Sequence, residues 1–172
     1  MTKKERVIRA IRQEETDCIP SCFSMHFPAE CANGENAIRA HLDFLEQTDV
    51  DILKIMNENL VSSGYDLNSR EDYERFPAIS AEDPFMQTQL NLVKRILEKT
   101  PDDCFTIGTL HSVGTSAMYH PFKRMGYGYD QSRSVFDAWM KENPAKMLDA
   151  VKRITDGLCG LAAKYIEAGL DG

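Results

Sequence analysis

Apolar and polar positions along this chain fall into blocks that switch between a helical and a strand period. Val7, Ile8 and Ile11 recur at helical spacing behind a Thr2-to-Glu5 capping-box pattern, and predict a first helix of about three turns. The polar break Glu14-Glu15-Thr16-Asp17 ends it. Ile19 to Met25, IPSCFSM, then reads as a strand that ends at His26, with Pro20 near its start because proline brings no N–H to a ladder. After an Asn33-Gly34 loop, Ile38, Leu42 and Leu45 share one face of a second helix. Val50 to Leu60, VDILKIMNENL, follows at once. Its near-continuous apolar run predicts a strand buried on both faces, and its polar residues sit at the C-terminal end.

Val61 to Ile79 is long, polar and punctuated by Gly64, Asn68, Ser69 and Pro77, which predicts a functional loop such as a lid or cleft wall. Ser80, Asp83 and Pro84 announce a helix with Met86, Leu90, Val93 and Leu97 on its buried stripe. Phe105 to Leu110 reads as a third strand, ending at His111. The small residues, glycines and tyrosines from Ser112 to Asp130 predict a second cleft-facing region, and Ser132 to Met140 a short helix. Asn143-Pro144 then caps a long helix carrying Met147, Val151, Ile154, Leu158, Leu161 and Tyr165. Gly169 is its expected C-terminal cap, and Leu170-Asp171-Gly172 stands where a fourth strand would begin.

Strands alternating with helices predict an α/β chain of about three parallel strands with right-handed crossover helices. Ligands bind such sheets at the carboxyl ends of the strands, where the loops converge. Glu58, His26 and His111 stand at those ends, so the pattern predicts that one rim gathers them as catalytic residues, with Asn57 next to Glu58. A carboxylate there accepts hydrogen bonds from a ligand or exchanges protons with it. His41, in mid-helix, is expected at the surface, and His120, before Pro121, in a loop.

Composition narrows the partners. The 172 residues carry a formal charge of −7 and 42% hydrophobic residues, and no basic stripe suited to nucleic acid appears. No run reaches the length of a membrane span, and the start of the chain lacks the apolar segment of a signal peptide, so a cytoplasmic protein is expected. Five cysteines with no CxxC fit reduced thiols. Cys18 and His26 lie about 26 Å apart in an extended strand, too far to share a metal, which leaves only a Cys22–His26 pair around a bend and no metal site of standard pattern.

Three blocks resemble the N-terminal half of the uroporphyrinogen decarboxylase family, over essentially all 172 residues. They are the opening KKERVIRAIRQEETDCIP; the strand end Met56-Asn57-Glu58-Asn59-Leu60; and IGTLHSVGTSAMY, where Gly108, Thr115 and Tyr119 match a glycine-rich strand end, a threonine and a tyrosine four residues on. The resemblance implies the N-terminal part of a TIM (β/α)8-type barrel, with residues 1–172 as a single partial domain completed by a C-terminal half or by self-association. It implies carboxy-lyase chemistry on a tetrapyrrole-type substrate without metal or organic cofactor. Glu58 would bind pyrrole N–H groups, Tyr119 would lie beside the substrate, and Asn57, Thr115 and Gly108 would line its site. One departure stands out: the family's arginine-glutamine-alanine-glycine-arginine-tyrosine motif is replaced by Met25-His26-Phe27-Pro28-Ala29-Glu30, so two carboxylate-binding guanidinium groups are missing. The superfamily also holds corrinoid-linked methyltransferases, which would imply zinc, a corrinoid and a corrinoid protein as partner, with the zinc ligands in the C-terminal half. A catalytically inert half-barrel that needs a partner chain is the third reading.

Overall fold

Thr2 and Glu5 close the capping box expected of them: Glu5 N–H donates to Thr2 Oγ1 at 3.1 Å and Thr2 N–H to Glu5 Oε2 at 2.9 Å, so α1 (Lys3–Ile11) starts there. The computed structural model describes residues 1–59, 65 and 67–172. Two compact units make up the chain. The first comprises Met1–Glu58, Gln89–Thr109 and Lys164–Gly172, and the second Asn59–Thr88 and Leu110–Ala163. Residue 60, at the end of the expected strand, and residues 61–64 and 66 of the expected lid or cleft wall lie outside the described residues.

In the first unit, β1 (Ile52–Ile55) and β2 (Phe105–Gly108) pair in parallel, Ile52 opposite Phe105 and Ile55 opposite Gly108. Helix α2 (Gly34–Thr48) precedes β1 and packs on it, ending at Asp49 in the left-handed conformation. Side chains alternate across a strand, so Leu53, Ile55 and Thr106 share one face while Ile52, Lys54 and Ile107 share the other. Leu53 and Ile55 are fully buried, whereas Ile52, Lys54 and Ile107 are only half-buried. Phe105, opposite Ile52 on that second face, is buried, so the expectation of a strand buried on both faces is met fully on one face of β1 and in part on the other.

The expected architecture of three parallel strands forming the N-terminal part of a TIM-type barrel is also corrected. Among the described residues the sheet has two strands, and helices take up more than half of the chain. The segment expected to be the first strand touches β1 at a single bridge, Cys22 with Ile52, where Ile52 N–H donates to Ser21 O at 3.1 Å. Ile19, Phe23 and Met25 stay exposed, so little apolar burial offsets the entropy of fixing that segment as a ladder, and Pro20 removes a donor. On the other side of the sheet, Gly108 N–H donates to Gly172 O at 2.9 Å and Asp171 N–H to Thr106 O at 3.0 Å. The chain's last residues therefore lie against β2 in ladder fashion.

Below β1 an ionic clasp ties α1 to the sheet. Arg6 bonds both Asp17 and Asp51, and Asp51 Oδ2 also accepts from Ser21 N–H at 2.7 Å and Ser21 Oγ at 3.0 Å. The part of α4 (Pro84–Leu97) from Gln89 onward and the end of α7 (Pro144–Glu167) complete this unit's core, through Leu92, Val93, Ile96 and Tyr165.

The second unit is helical, and two stretches expected as loops contain helices. Ser69 caps α3 (Arg70–Glu74) through its Oγ, and the region after His111 forms a π-helix, Thr115–Tyr119, that runs into α5 (His120–Arg124). Helix α6 (Tyr129–Glu142) begins three residues earlier than the expected Ser132. Aromatic rings hold these pieces together: Tyr73 stacks on Phe122 at 5.9 Å, Phe122 meets Trp139 at 5.0 Å, and the Tyr73 hydroxyl donates to Ala117 O at 2.9 Å. Helices amid short polar loops escape periodicity because each is barely one turn long.

Candidate functional site at the carboxyl end of the parallel strands

Strand β1 ends at Ile55, and the chain beyond it is fixed by side chains. Met56 N–H donates to His41 Nε2 at 3.0 Å, and Gln89 Nε2 donates to Met56 O at 3.1 Å. Both partners are buried, His41 to 2% and Gln89 to 0% exposure. Next, Asn57 is itself buried and donates from Nδ2 to Thr109 O at 3.4 Å, an oxygen that also accepts from the Tyr165 hydroxyl at 3.1 Å. A buried polar network of this kind is stable only when its members are paired, and its pairing fixes the backbone that carries Glu58.

Glu58 meets His26 there. His26 Nδ1 lies 2.7 Å from Glu58 Oε1, a contact between residues from two separate segments. The imidazole is 76% exposed and the carboxylate 27%, so the pair opens to solvent on the imidazole side. Close by in the chain, Lys54 Nζ donates to Ser24 Oγ at 2.8 Å, which ties the same segment to β1 two residues earlier. Partial desolvation raises the Cys22 thiol above its usual range and nearby Lys54 only partly offsets this, although the residue as a whole is exposed.

The remaining expected site residues divide between the units. Gly108, in β2, is backed by Tyr165: a Cβ there would come within 2.6 Å of Tyr165 Cδ2, which explains a glycine at this position by helix packing. His111, Thr115 and Tyr119 belong to the second unit. There the His111 and His120 rings meet edge to face at 4.6 Å, Tyr119 lies 5.6 Å from Tyr129, and Thr115 is bonded through Oγ1 and N–H to Ser112 Oγ at 2.9 and 3.1 Å. His120, expected in a loop, begins α5 and is buried; burial, with His111 and Lys123 nearby, pushes it down to about 4. The structure thus brings Glu58, Asn57 and His26 together in the first unit, and His111, Tyr119 and Thr115 around the π-helix in the second.

Two residues of the network escape the sequence reading. His41, expected at the surface, is buried: its Nδ1–H donates to Ala37 O at 2.7 Å and the ring of Phe27 packs on it at 4.6 Å. Gln89 is the other. A signal for both was present, since His41 falls between Ile38 and Leu45, and Gln89 between Met86 and Val93, on the apolar stripes of their helices.

Among the described residues no three His, Cys, Asp or Glu side chains are grouped to hold a metal ion, and no helix is long and apolar enough to cross a membrane. Comparison with known protein families, with curated proteins and with solved structures finds no match to this chain.

Proposed function

We propose that His26 and Glu58 form a proton-transfer site in a decarboxylase-like enzyme acting on a tetrapyrrole-type substrate, the chemistry implied by the resemblance to the uroporphyrinogen decarboxylase family. The observation that carries this reading is the 2.7 Å contact between His26 Nδ1 and Glu58 Oε1 beyond the carboxyl end of β1. A carboxylate on Nδ1 fixes the ring's orientation and leaves Nε2 free to exchange protons with a ligand. Its exposure supplies the path for reprotonation from solvent.

In this reading the imidazolium of His26 places its Nε2 proton on a ring carbon of the substrate. The electron pair of the bond to the leaving carboxylate moves toward the cationic ring, and carbon dioxide departs. A solvent proton then adds to the carbon left behind, and the ring proton returns to His26. Glu58 offsets the imidazolium charge, and it is also the group to which the resemblance assigns the pyrrole N–H bonds. A cytoplasmic setting and completion by a partner chain or a second copy belong to the same reading.

Release of carbon dioxide from a polycarboxylated porphyrinogen tests it. His26→Ala and Glu58→Gln are expected to lower turnover by about 10²- to 10⁴-fold, the usual worth of a positioned acid or base. Turnover unchanged in both variants overturns the assignment.

Methyl transfer is the second reading, favoured by the segment Met25 to Glu30, which offers no guanidinium to a polycarboxylated substrate and adds a carboxylate. Among the described residues no three His, Cys, Asp or Glu side chains are grouped to hold zinc, so in this reading the zinc ligands would come from the C-terminal half that the resemblance implies. Methyl passage from a methylated corrinoid to a thiol, with no carbon dioxide released from the porphyrinogen, would select it.

A further inference from the structure

One imidazole touches both of the segments that bring the His26–Glu58 pair together. His41 meets the ring of Phe27, the neighbour of His26, in a tilted contact at 4.6 Å, and its Nε2 accepts from Met56 N–H, two residues before Glu58, at 3.0 Å. The last ladder bond on β1 is Thr109 N–H to Ile55 O at 3.1 Å, so Met56 N–H lies beyond the sheet and relies on His41. Ala37 O accepts only, and Met56 N–H donates only. Together they require the neutral imidazole with its proton on Nδ1.

We propose that His41 is the positioning residue of the pair, and that protonating His41 releases it. A proton on Nε2 would face the Met56 N–H, donor against donor, and the bond that holds the exit of β1 would be lost. Glu58 would then no longer be held against His26. The charged group that acts on His41 from a neighbouring element is Glu58, at the exit of β1; Gln89 of α4, which bonds Met56 O, is neutral. Burial lowers the basicity of His41 from its ordinary value, while the bond to Ala37 O and the charge of Glu58 act in the opposite sense, so the neutral form prevails at neutral pH and the switch lies on the acid side. The catalytic consequence rests on the proton-transfer role assigned to His26 and Glu58; the structural consequence does not.

The test is an NMR titration of the full chain with two variants. His41→Gln keeps a neutral acceptor near the position of Nε2 and cannot be protonated, and His41→Leu removes the acceptor. In the parent protein, nitrogen shifts should report Nδ1–H and an unprotonated Nε2 at neutral pH. As His41 gains its proton, exchange of the Met56 amide should quicken at least tenfold beyond the intrinsic pH effect, and the amide shifts of Met56 and Glu58 should move with the same midpoint. His41→Gln should keep slow Met56 exchange through that range and lose the shared midpoint. Met56 exchange that ignores the protonation of His41, or an identical acid response in His41→Gln, overturns the proposal; these readouts need only a folded His41→Gln should His41→Leu fail to fold. Turnover that survives His26→Ala would sink the catalytic reading, while the Met56 response would still decide the role of His41.

Discussion

Gly108 lies against the ring of Tyr165, with no space for a Cβ between β2 and the end of α7. Leu170 closes the same gap, its Cδ1 being 2.9 Å from where the Cβ would sit. Gly108→Ala must therefore displace a buried ring. It is expected to cost about 1 to 3 kcal/mol, the usual range for overpacking, seen as a lower urea midpoint with an unchanged slope.

The clasp around Asp51 should make stability pH-dependent. Burial would raise this carboxyl, but the Ser21 N–H, the Arg6 guanidinium and the Ser21 hydroxyl outweigh it and hold the group below the usual carboxylate range. A depressed folded value means that the unfolded chain binds the proton more readily. The contribution is thus present above about pH 4, where unfolded aspartates ionise, and fades as pH falls through the folded value. Asp51→Asn is expected to destabilise the protein by about 1 to 3 kcal/mol at pH 7. Denaturant melts at pH 7 and pH 3 should show the gap between variant and parent closing at the lower pH.

His120 works in the same direction from another cause. Buried beside His111 and Lys123, it is pushed down to about 4, so folding keeps it neutral where the unfolded imidazole already gains its proton. Stability linked to His120 is present above about pH 6.5 and declines as pH falls through 4, by about 3 kcal/mol in all. His120→Gln should flatten the stability profile across that interval, and a profile as steep as the parent's would contradict the assignment.

Alkaline titration reads a third buried group. Burial holds the Tyr73 and Tyr165 hydroxyls well above the ordinary phenol range. Both should stay protonated in the native protein when pH passes about 10, where unfolded tyrosines ionise. Ultraviolet titration should therefore show three of the six tyrosines ionising late, Tyr65 pushed up to about 12 and Tyr73 and Tyr165 ionising only on unfolding, with stability falling as pH rises beyond 10. Tyr73→Phe should remove one of them and cost about 1 kcal/mol through the lost bond to Ala117 O.

Periodicity located the long elements because each buries a continuous stripe. Thr2 and Glu5, Leu53 and Ile55, and Met147 to Tyr165 all stand where their spacing placed them. Strand status was less legible at Ile19 to Met25, since composition describes a segment's appetite for burial and not whether a neighbour arrives on both sides. His26 and Glu58 could be named as strand-end residues, but their mutual contact depends on where one segment leaves β1, which spacing does not encode. His41 was misplaced for a different reason. A polar residue on an apolar stripe was read by its own polarity, when the stripe's geometry already assigned it to the interior.

The parallel pairing of β1 with β2 also bears on how quickly the first unit can assemble. Ile52 finds Phe105 only after roughly 50 residues of chain have been drawn into a loop, while the Cys22 bridge to Ile52 closes a shorter one of about 30. Short-range turns such as the one opened by Thr2 can be made and lost many times beforehand. Parallel pairing across that separation places the sheet among the slower contacts for the folding chain to gain.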